Sequence, residues 1–174
     1  MKLRNTVNAA AIAALYTLLT VCFAPISSGL IQCRISEALC VLPYFTPSAV
    51  PGLFVGCALS NLLMGAPLPD VVFGSFATLL AAICTWRMRA RVPRFLAPLP
   101  SVVINALIVG ILLVRVYGVD VPLFAACVYA GAGQALACFG FGVPLMSVLS
   151  RHAERLFGQA EPGVDLRTVN SRKS

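Results

Sequence analysis

Polar side chains interrupt several long apolar runs of this sequence, and they are its first candidates for chemistry. Asn61, Asn105 and Gln134 each lie inside such a run. In hydrocarbon an amide without a hydrogen-bond partner is costly, so each side chain must bond another helix or a bound molecule. Asn105 and Gln134 lie in different runs and could line one cavity, so we favour ligand contact for both. For Asn61 and Thr78, bonding between helices is an equally good interpretation.

Ionisable side chains form a second set of candidates, at the ends of the apolar runs. Arg34 and Glu37 lie at the start of one apolar piece, and Asp70 precedes another run. A charge near the bilayer centre costs about 2.5–3.5 kcal/mol, so such groups need a partner or a function. Ion pairing in the headgroup region is the alternative to ligand binding, and it is the favoured interpretation for Arg115 and Asp120.

The sequence offers no residue set for catalysis, metal binding or nucleotide binding. Its seven cysteines show no C-x-x-C pairing, and its single histidine, His152, lies among arginines. No G-x-x-x-x-G-K-[ST] loop is present to hold ATP phosphates, and no nucleophile has a plausible local base. We therefore predict no catalytic residue, no metal and no cofactor. A disulfide between Cys33 and Cys40 is an open alternative that no pattern supports.

The composition indicates that the elements positioning these residues are membrane helices. The chain has 174 residues, of which 59% are hydrophobic and 11% are charged, and its mean hydropathy is +0.91. Soluble domains contain about 45–50% apolar and about 25% charged residues, so this chain lacks the polar surface that a water-facing protein needs. Its high hydrophobicity also excludes intrinsic disorder. We predict an all-α integral membrane protein.

Six apolar segments are predicted to form a bundle of six transmembrane helices. Residues 5–24 are long enough to cover about 30 Å, the thickness of the hydrocarbon core, although a cleaved signal peptide is the alternative. Residues 34–45 carry Pro43 and are predicted to form a short, proline-broken second helix, which protein or a cavity must cover. The last run is predicted to tilt or break near its glycines and Pro144. The other runs are residues 51–64, 71–86, 98–114 and 121–149.

The excess of basic residues predicts a membrane orientation and argues against a nucleic-acid partner. The chain carries 13 Lys and Arg against six Asp and Glu, for a net charge of +7. If four crossings precede the arginine-rich loop at residues 87–94, that loop and both termini are cytoplasmic. All basic residues except Arg34 and Arg115 then lie inside. We predict a membrane domain over residues 1–150 and a basic, partly disordered cytoplasmic tail over residues 151–174.

Several short stretches, taken together, carry a more specific signal than any single residue. Residues 32–39 read QCRISEAL, and residues 70–81 read DVVFGSFATLLA. Further matching positions are Leu42-Pro43, Gly52 with Gly56, Asn61, residues 100–105 and Gly133-Gln134. These stretches resemble the queuosine-precursor transporter family of QueT type, and the resemblance covers about residues 8–150.

That family belongs to the substrate-binding S components of energy-coupling factor (ECF) transporters. The resemblance implies a membrane subunit that captures a vitamin-like solute from outside and is itself not an enzyme. It implies three partners besides membrane lipid, namely a transmembrane coupling subunit and two cytoplasmic ATPase subunits. The coupling subunit would contact the small-residue face of the first helix, here Ala9, Ala10, Ala13 and Ala14.

The solutes that the resemblance implies are 7-deazaguanine bases, queuine or queuosine. A guanine-like edge presents a ring N–H and an amine as donors and a carbonyl as acceptor, so its site needs both acceptors and a donor. Gln134 stands where the family usually has glutamate, so either the substrate is less cationic or another carboxylate acts instead. The predicted substrate-binding residues are Gln32, Arg34, Glu37, Asn61, Asp70, Asn105 and Gln134.

Two other classes of function remain open from the sequence. Oligomers of this small chain could form a self-sufficient channel or secondary carrier for a small polar solute, and uptake without an ATPase partner would favour that class. A small intramembrane enzyme is the third class, but the sequence provides no nucleophile paired with a base and no metal-ligand set.

Overall fold

The computed structural model describes residues 2–27 and 34–157. These residues form helices and turns without a strand, so the prediction of an all-α protein is confirmed. A 3₁₀ helix (Ile35–Tyr44) and a π-helical segment (Leu136–Gly142) occur between the α-helices, and a short 3₁₀ turn (Arg94–Leu96) precedes α5. The α-helices are α1 (Lys2–Cys22), α2 (Ala24–Ser27), α3 (Ala49–Leu63), α4 (Leu68–Met88), α5 (Leu99–Arg115), α6 (Leu123–Ala135) and α7 (Val143–Phe157).

Among the described residues, four helical stretches are long and apolar enough to cross a membrane. They are Leu3–Cys22, Leu68–Met88, Arg94–Arg115 and Leu123–Arg151. The 3₁₀ helix and α3 are also apolar but shorter. The chain is therefore a helical membrane protein whose six apolar segments correspond to the six that the sequence predicts.

The predicted proline-broken segment is the 3₁₀ helix, which carries Pro43 within it. Every residue from Ser36 to Tyr44 is buried. A 3₁₀ helix longer than three or four residues is uncommon, so this one depends on its surroundings. It contacts α1, α3, α4, α7 and the π-helical segment. Neighbouring helices thus cover its backbone, as a short helix at membrane depth requires.

The last apolar run stays helical over Leu123–Arg151, but a π-helical segment separates α6 from α7 near its glycines and proline. α6 ends at Ala135, and α7 begins one residue before Pro144. Because proline has no N–H to donate to the preceding turn, it is a common cause of such a local change in helix geometry. α7 continues to Phe157, so the domain boundary predicted at residue 150 falls within a helix. Residues 158–174 of the predicted tail lie outside the described part of the chain.

Glycines allow two pairs of helices to approach closely. A Cβ added at Gly56 on α3 would lie 2.9 Å from the Tyr16 Cβ and 3.0 Å from the Ala13 carbonyl oxygen on α1. A Cβ at Gly110 on α5 would lie 2.5 Å from the Cys127 Sγ and 2.8 Å from its Cα on α6. Such short distances require glycine, so α1 packs on α3, and α5 on α6, with backbones in close contact.

We expect Gly110→Ala to lower the thermal unfolding temperature of the purified protein. The added methyl group would push α6 away, and overpacking of this kind costs about 1–3 kcal/mol. That cost should exceed the gain of about 1 kcal/mol in helix propensity from glycine to alanine. Gly140→Ala is the matched control, because a Cβ there meets nothing within 4 Å. Equal unfolding temperatures for both variants would contradict the close packing of α5 on α6.

Candidate functional site

A small polar cavity lies among the 3₁₀ helix and helices α3, α4, α5 and α6. Its polar lining includes Arg34, Glu37, Asp70, Asn105 and Gln134. These are five of the seven residues that the sequence predicts to bind a ligand, and the fold brings them together from distant parts of the chain. The remaining lining residues are Cys57, Gly74, Thr78, Val109 and Ala130.

The cavity among the described residues is small. Its volume is about 20 Å³, which is room for about one water molecule. Sites for organic ligands typically enclose about 300–1,000 Å³. Side chains around the cavity must therefore move apart before an organic molecule can bind there.

Glu37 is the centre of the hydrogen-bond network on one side of the cavity. Its side chain is only 3% exposed. The Tyr16 hydroxyl on α1 donates to Oε1, and the Gln134 Nε2 on α6 donates to Oε2 at 2.8 Å. The Ser101 Oγ on α5 also donates to Oε2, at 3.5 Å. One carboxyl group on the 3₁₀ helix is thus bonded to three other helices.

The bonds of the Gln134 amide decide what it can offer a ligand. Besides Glu37, its Nε2 lies 3.0 Å from the Ser101 Oγ and 3.4 Å from the Cys138 Sγ. An amide nitrogen has two hydrogens, and protein acceptors already engage them. The carbonyl oxygen remains, so Gln134 can accept a hydrogen bond from a ligand. The Asn105 Nδ2 lies 3.4 Å from the Ser101 Oγ, next to this group.

Asp70 supplies a second carboxyl group to the cavity. It is buried in the first turn of α4, and the Tyr117 hydroxyl, in the loop after α5, donates to its Oδ2. Burial and the hydrogen bond to Asp70 raise the pKa of Tyr117 well above its ordinary value, so the hydroxyl stays protonated at neutral pH. Gly74 leaves room for this carboxyl group, because a Cβ there would lie 3.1 Å from the Asp70 Oδ1.

The remaining predicted ligand residues differ in position. Arg34 is half-buried just before the 3₁₀ helix and lines the cavity together with Glu37 and Asp70. Asn61 is fully buried but does not line the cavity; its Nδ2 donates to the Asp70 carbonyl oxygen at 3.4 Å. The Nδ2 thus bonds α3 to α4, whereas the buried Oδ1 has no hydrogen-bond partner among the described residues. Gln32 lies outside the described residues.

Two cysteines lie beside this network. The Cys40 Sγ on the 3₁₀ helix is 3.3 Å from the Cys138 Sγ on the π-helical segment, and both side chains are buried. Cys33, the other cysteine of the disulfide considered from the sequence, lies outside the described residues. Among the cysteines that the structure describes, Cys138 is thus the one whose sulfur lies next to that of Cys40.

The small-residue face of α1 divides into two parts. Ala9 and Ala13 face α3: the Ala9 carbonyl oxygen is 2.8 Å from a Cβ built at Gly52, and Ala13 is 5% exposed. Ala10 and Ala14 lie on the surface. Of the four alanines, Ala13 is thus buried, Ala9 is half-buried, and Ala10 and Ala14 are exposed.

Three residues that contact the two carboxyl groups are absent from the sequence-based prediction. Tyr16 and Ser101 are polar side chains inside or at the edge of apolar runs. The argument that identified Asn105 applies to them too, so extending it from amides to hydroxyls finds both. Tyr117 lies in a loop, where a tyrosine is unremarkable, and the sequence gives no signal for its bond to Asp70.

A protein-family model matches most of the chain. Neither curated proteins nor solved structures provide a match to it. The family model described as QueT transporter matches residues 6–151, which include every residue that lines the cavity. Together with the four long apolar helices, this match establishes a membrane location and a role in transport. The chain therefore belongs to the QueT transporter family.

Proposed function

We propose that the chain is the substrate-binding membrane subunit of an ATP-driven, ECF-type importer. Its solute would be a queuosine precursor, meaning a 7-deazaguanine base or queuine, or queuosine itself. The observation that carries the proposal is the pair of buried carboxyl groups, Glu37 and Asp70, which share one cavity with two amides and Arg34 in a member of this family.

The polar groups of the cavity suit the edge of a guanine-like ring. Glu37 or Asp70 can accept from the ring N–H and the exocyclic amine, and the Gln134 oxygen provides another acceptor. Arg34 or the Asn105 amide nitrogen can donate to the ring carbonyl. Because both kinds of group line the same cavity, one bound base could bond with several of them at once.

Asp70 can supply the negative charge that the amide of Gln134 lacks. An aminomethyl substituent on the base carries a positive charge that a carboxylate can face and an amide cannot neutralise. Two carboxyl groups line the cavity near Gln134, namely those of Glu37 and Asp70. Glu37 already accepts from three protein donors, whereas the side chain of Asp70 accepts from Tyr117. We therefore assign the substituent to Asp70, and Gln134 is compatible with a cationic base.

Ligand entry requires the cavity to widen, and the loop after α5 is a candidate for this movement. Tyr117 is 44% exposed and lies beside the turn at Gly118, whose φ of +64° favours glycine. Its hydroxyl fastens the loop to Asp70, which lines the cavity. Breaking this bond would let the loop move without disturbing the helices.

We expect Tyr117→Phe to speed the release of a bound queuosine precursor. A hydrogen bond to a charged group contributes about 1.5–3 kcal/mol, and partial exposure places this one at the lower end, so the dissociation rate constant should rise about tenfold. Stopped-flow measurement with the purified protein would show the change. Tyr129→Phe is the matched control, on a tyrosine of α6 that is 40% exposed. Equal release from both variants would remove Tyr117 from the solute's path.

The proposed importer has six spans, cytoplasmic termini and three partner subunits. The chain's sequence contains no phosphate-binding loop of the Walker type, so ATP hydrolysis is assigned to two separate ATPase subunits. The transmembrane coupling subunit would contact α1 at Ala10 and Ala14, which are exposed. The arginine-rich loop at residues 87–94 would then face the cytoplasm.

A thermal-shift screen of the purified protein tests the substrate. The panel contains 7-deazaguanine bases, queuine and queuosine, with guanine and unrelated vitamins as controls. We expect only queuosine-pathway compounds to raise the unfolding temperature, and no shift with any of them would contradict the substrate. Energy coupling is tested by uptake with and without the ATPase subunits, since uptake that persists without them would indicate a self-sufficient carrier.

A further inference from the structure

Two side chains of α1 bond the start of the 3₁₀ helix. Tyr16 is fully buried, and its hydroxyl donates to the Glu37 Oε1. One turn later, the Thr20 Oγ1 lies 2.7 Å from the Oγ of Ser36, the residue before Glu37. The Tyr16 bond reaches a carboxyl group that lines the cavity, whereas the Thr20 bond does not. α1 is therefore connected to the cavity through Tyr16.

The two oxygens of Glu37 differ in how much they can still accept. Oε2 receives Gln134 and Ser101, whereas Oε1 receives Tyr16. Because a carboxylate oxygen has two lone pairs, Oε1 retains a position for one more donor. A ligand N–H that bonds Glu37 at Oε1 would share that oxygen with the Tyr16 hydroxyl.

The geometry of α1 lets a change at Tyr16 reach the protein surface. Ala14 precedes Tyr16 by two residues, about 200° around the helix axis, so the two lie on nearly opposite sides. On its α3 side, α1 meets Gly52 and Gly56, which have no side chains to interlock with it. The Thr17 Oγ1 on α1 also donates to the Gly56 carbonyl oxygen at 3.2 Å, so the two helices stay close together on this side.

We propose that Tyr16 transmits occupancy of the cavity to α1. A ligand donor on the Glu37 Oε1 shifts the Tyr16 hydroxyl, α1 rotates with it, and the exposed Ala10 and Ala14 change position. Tyr16 is thus a positioning residue that acts through Glu37. The inference rests on the proposed function and deepens it, because it connects the solute site to the face assigned to the coupling subunit.

Hydrogen–deuterium exchange of the full-length purified chain, with and without saturating queuine, tests this connection. In the wild type we expect queuine to slow exchange both in the 3₁₀ helix and in α1. In Tyr16→Phe the slowing should remain in the 3₁₀ helix and disappear from α1. The dissociation constant should change less than about tenfold, because the Tyr16 bond is present without ligand and its loss affects the free and the bound protein alike. Thr20→Val is the control, since it removes the neighbouring bond to Ser36, and it should keep the α1 response.

Several results would overturn the inference. An α1 response that persists in Tyr16→Phe would show another route, and a parallel loss of affinity and response would show that Tyr16 only holds Glu37 in place. If the variant does not fold, the wild type still decides, because binding of queuine without any α1 response contradicts the connection. A wild type that binds no deazaguanine compound would overturn the proposed function and this inference with it.

Discussion

Glu37→Gln should weaken the binding of queuosine precursors by at least about 100-fold. Glu37 is the acceptor for Tyr16, Ser101 and Gln134, and it is also the acceptor proposed for the ligand. A glutamine there would bring its own NH₂ group against donors, and two hydrogen bonds to a charged group together contribute about 3–6 kcal/mol. The variant should therefore lose the ligand contact and the geometry of its neighbours together.

Titration calorimetry of the purified variant would measure this loss. Asp120→Asn is the matched control, since it makes the same carboxyl-to-amide change at an exposed position that does not line the cavity. The control should bind as the wild type does. If Glu37→Gln kept the wild-type affinity, Glu37 would have to be removed from the site, and the cavity would lose the centre of its network.

Ala14→Trp should abolish uptake and leave the affinity for the solute unchanged. Ala14 is exposed on the side of α1 away from Tyr16, so an indole there has space in the isolated chain. In a complex, the same indole would separate two helices that small residues allow to pack closely. Binding and transport should therefore respond differently to one substitution.

Ala132→Trp is the control for this effect, with the same change at an exposed alanine of α6. Uptake of a labelled queuosine precursor by cells and the dissociation constant of the purified protein are measured for both variants. We expect the control to transport normally. If affinity falls together with uptake in Ala14→Trp, α1 shapes the cavity and its outer face is no coupling surface.

The sequence predicts the helices well because each helix depends on the residues of its own segment. Uninterrupted apolar runs specify the long helices, and Pro43 and Pro144 mark the two irregular segments, where a missing N–H disturbs the turn. The polar lining was also predictable in part. Asn105 and Gln134 stand out because an amide in hydrocarbon needs a partner, and the fold brings them to one cavity.

The rotation of each helix about its axis could not be predicted, because it depends on the neighbouring helices. Ala9 and Ala10 are equivalent in the sequence, yet Gly52 on α3 covers one side of α1 and leaves the other exposed. The same reason places Asn61 behind Asp70 instead of in the cavity. The bond between Tyr117 and Asp70 joins residues 47 positions apart, which no local pattern indicates.

Gln134 illustrates the difference between a residue's type and its role. The sequence has an amide where the resemblance predicts a carboxylate. Taken alone, this difference suggests a ligand that is less cationic than the family's. In the structure the NH₂ group is engaged by Glu37 and Ser101, so the amide orients the carboxyl group and offers its own oxygen to the cavity. A glutamate at this position would lack that donor and would bring a second acceptor against Glu37.

Equilibrium binding of a 7-deazaguanine base to the purified wild-type chain tests the central claim most directly. Titration calorimetry with queuine and with an aminomethyl-substituted base should give saturable binding of one molecule per chain, and guanine and an unrelated vitamin should bind at least about 100-fold more weakly. Absence of binding by every queuosine-pathway compound, or equal affinity for the unrelated vitamin, would contradict the account.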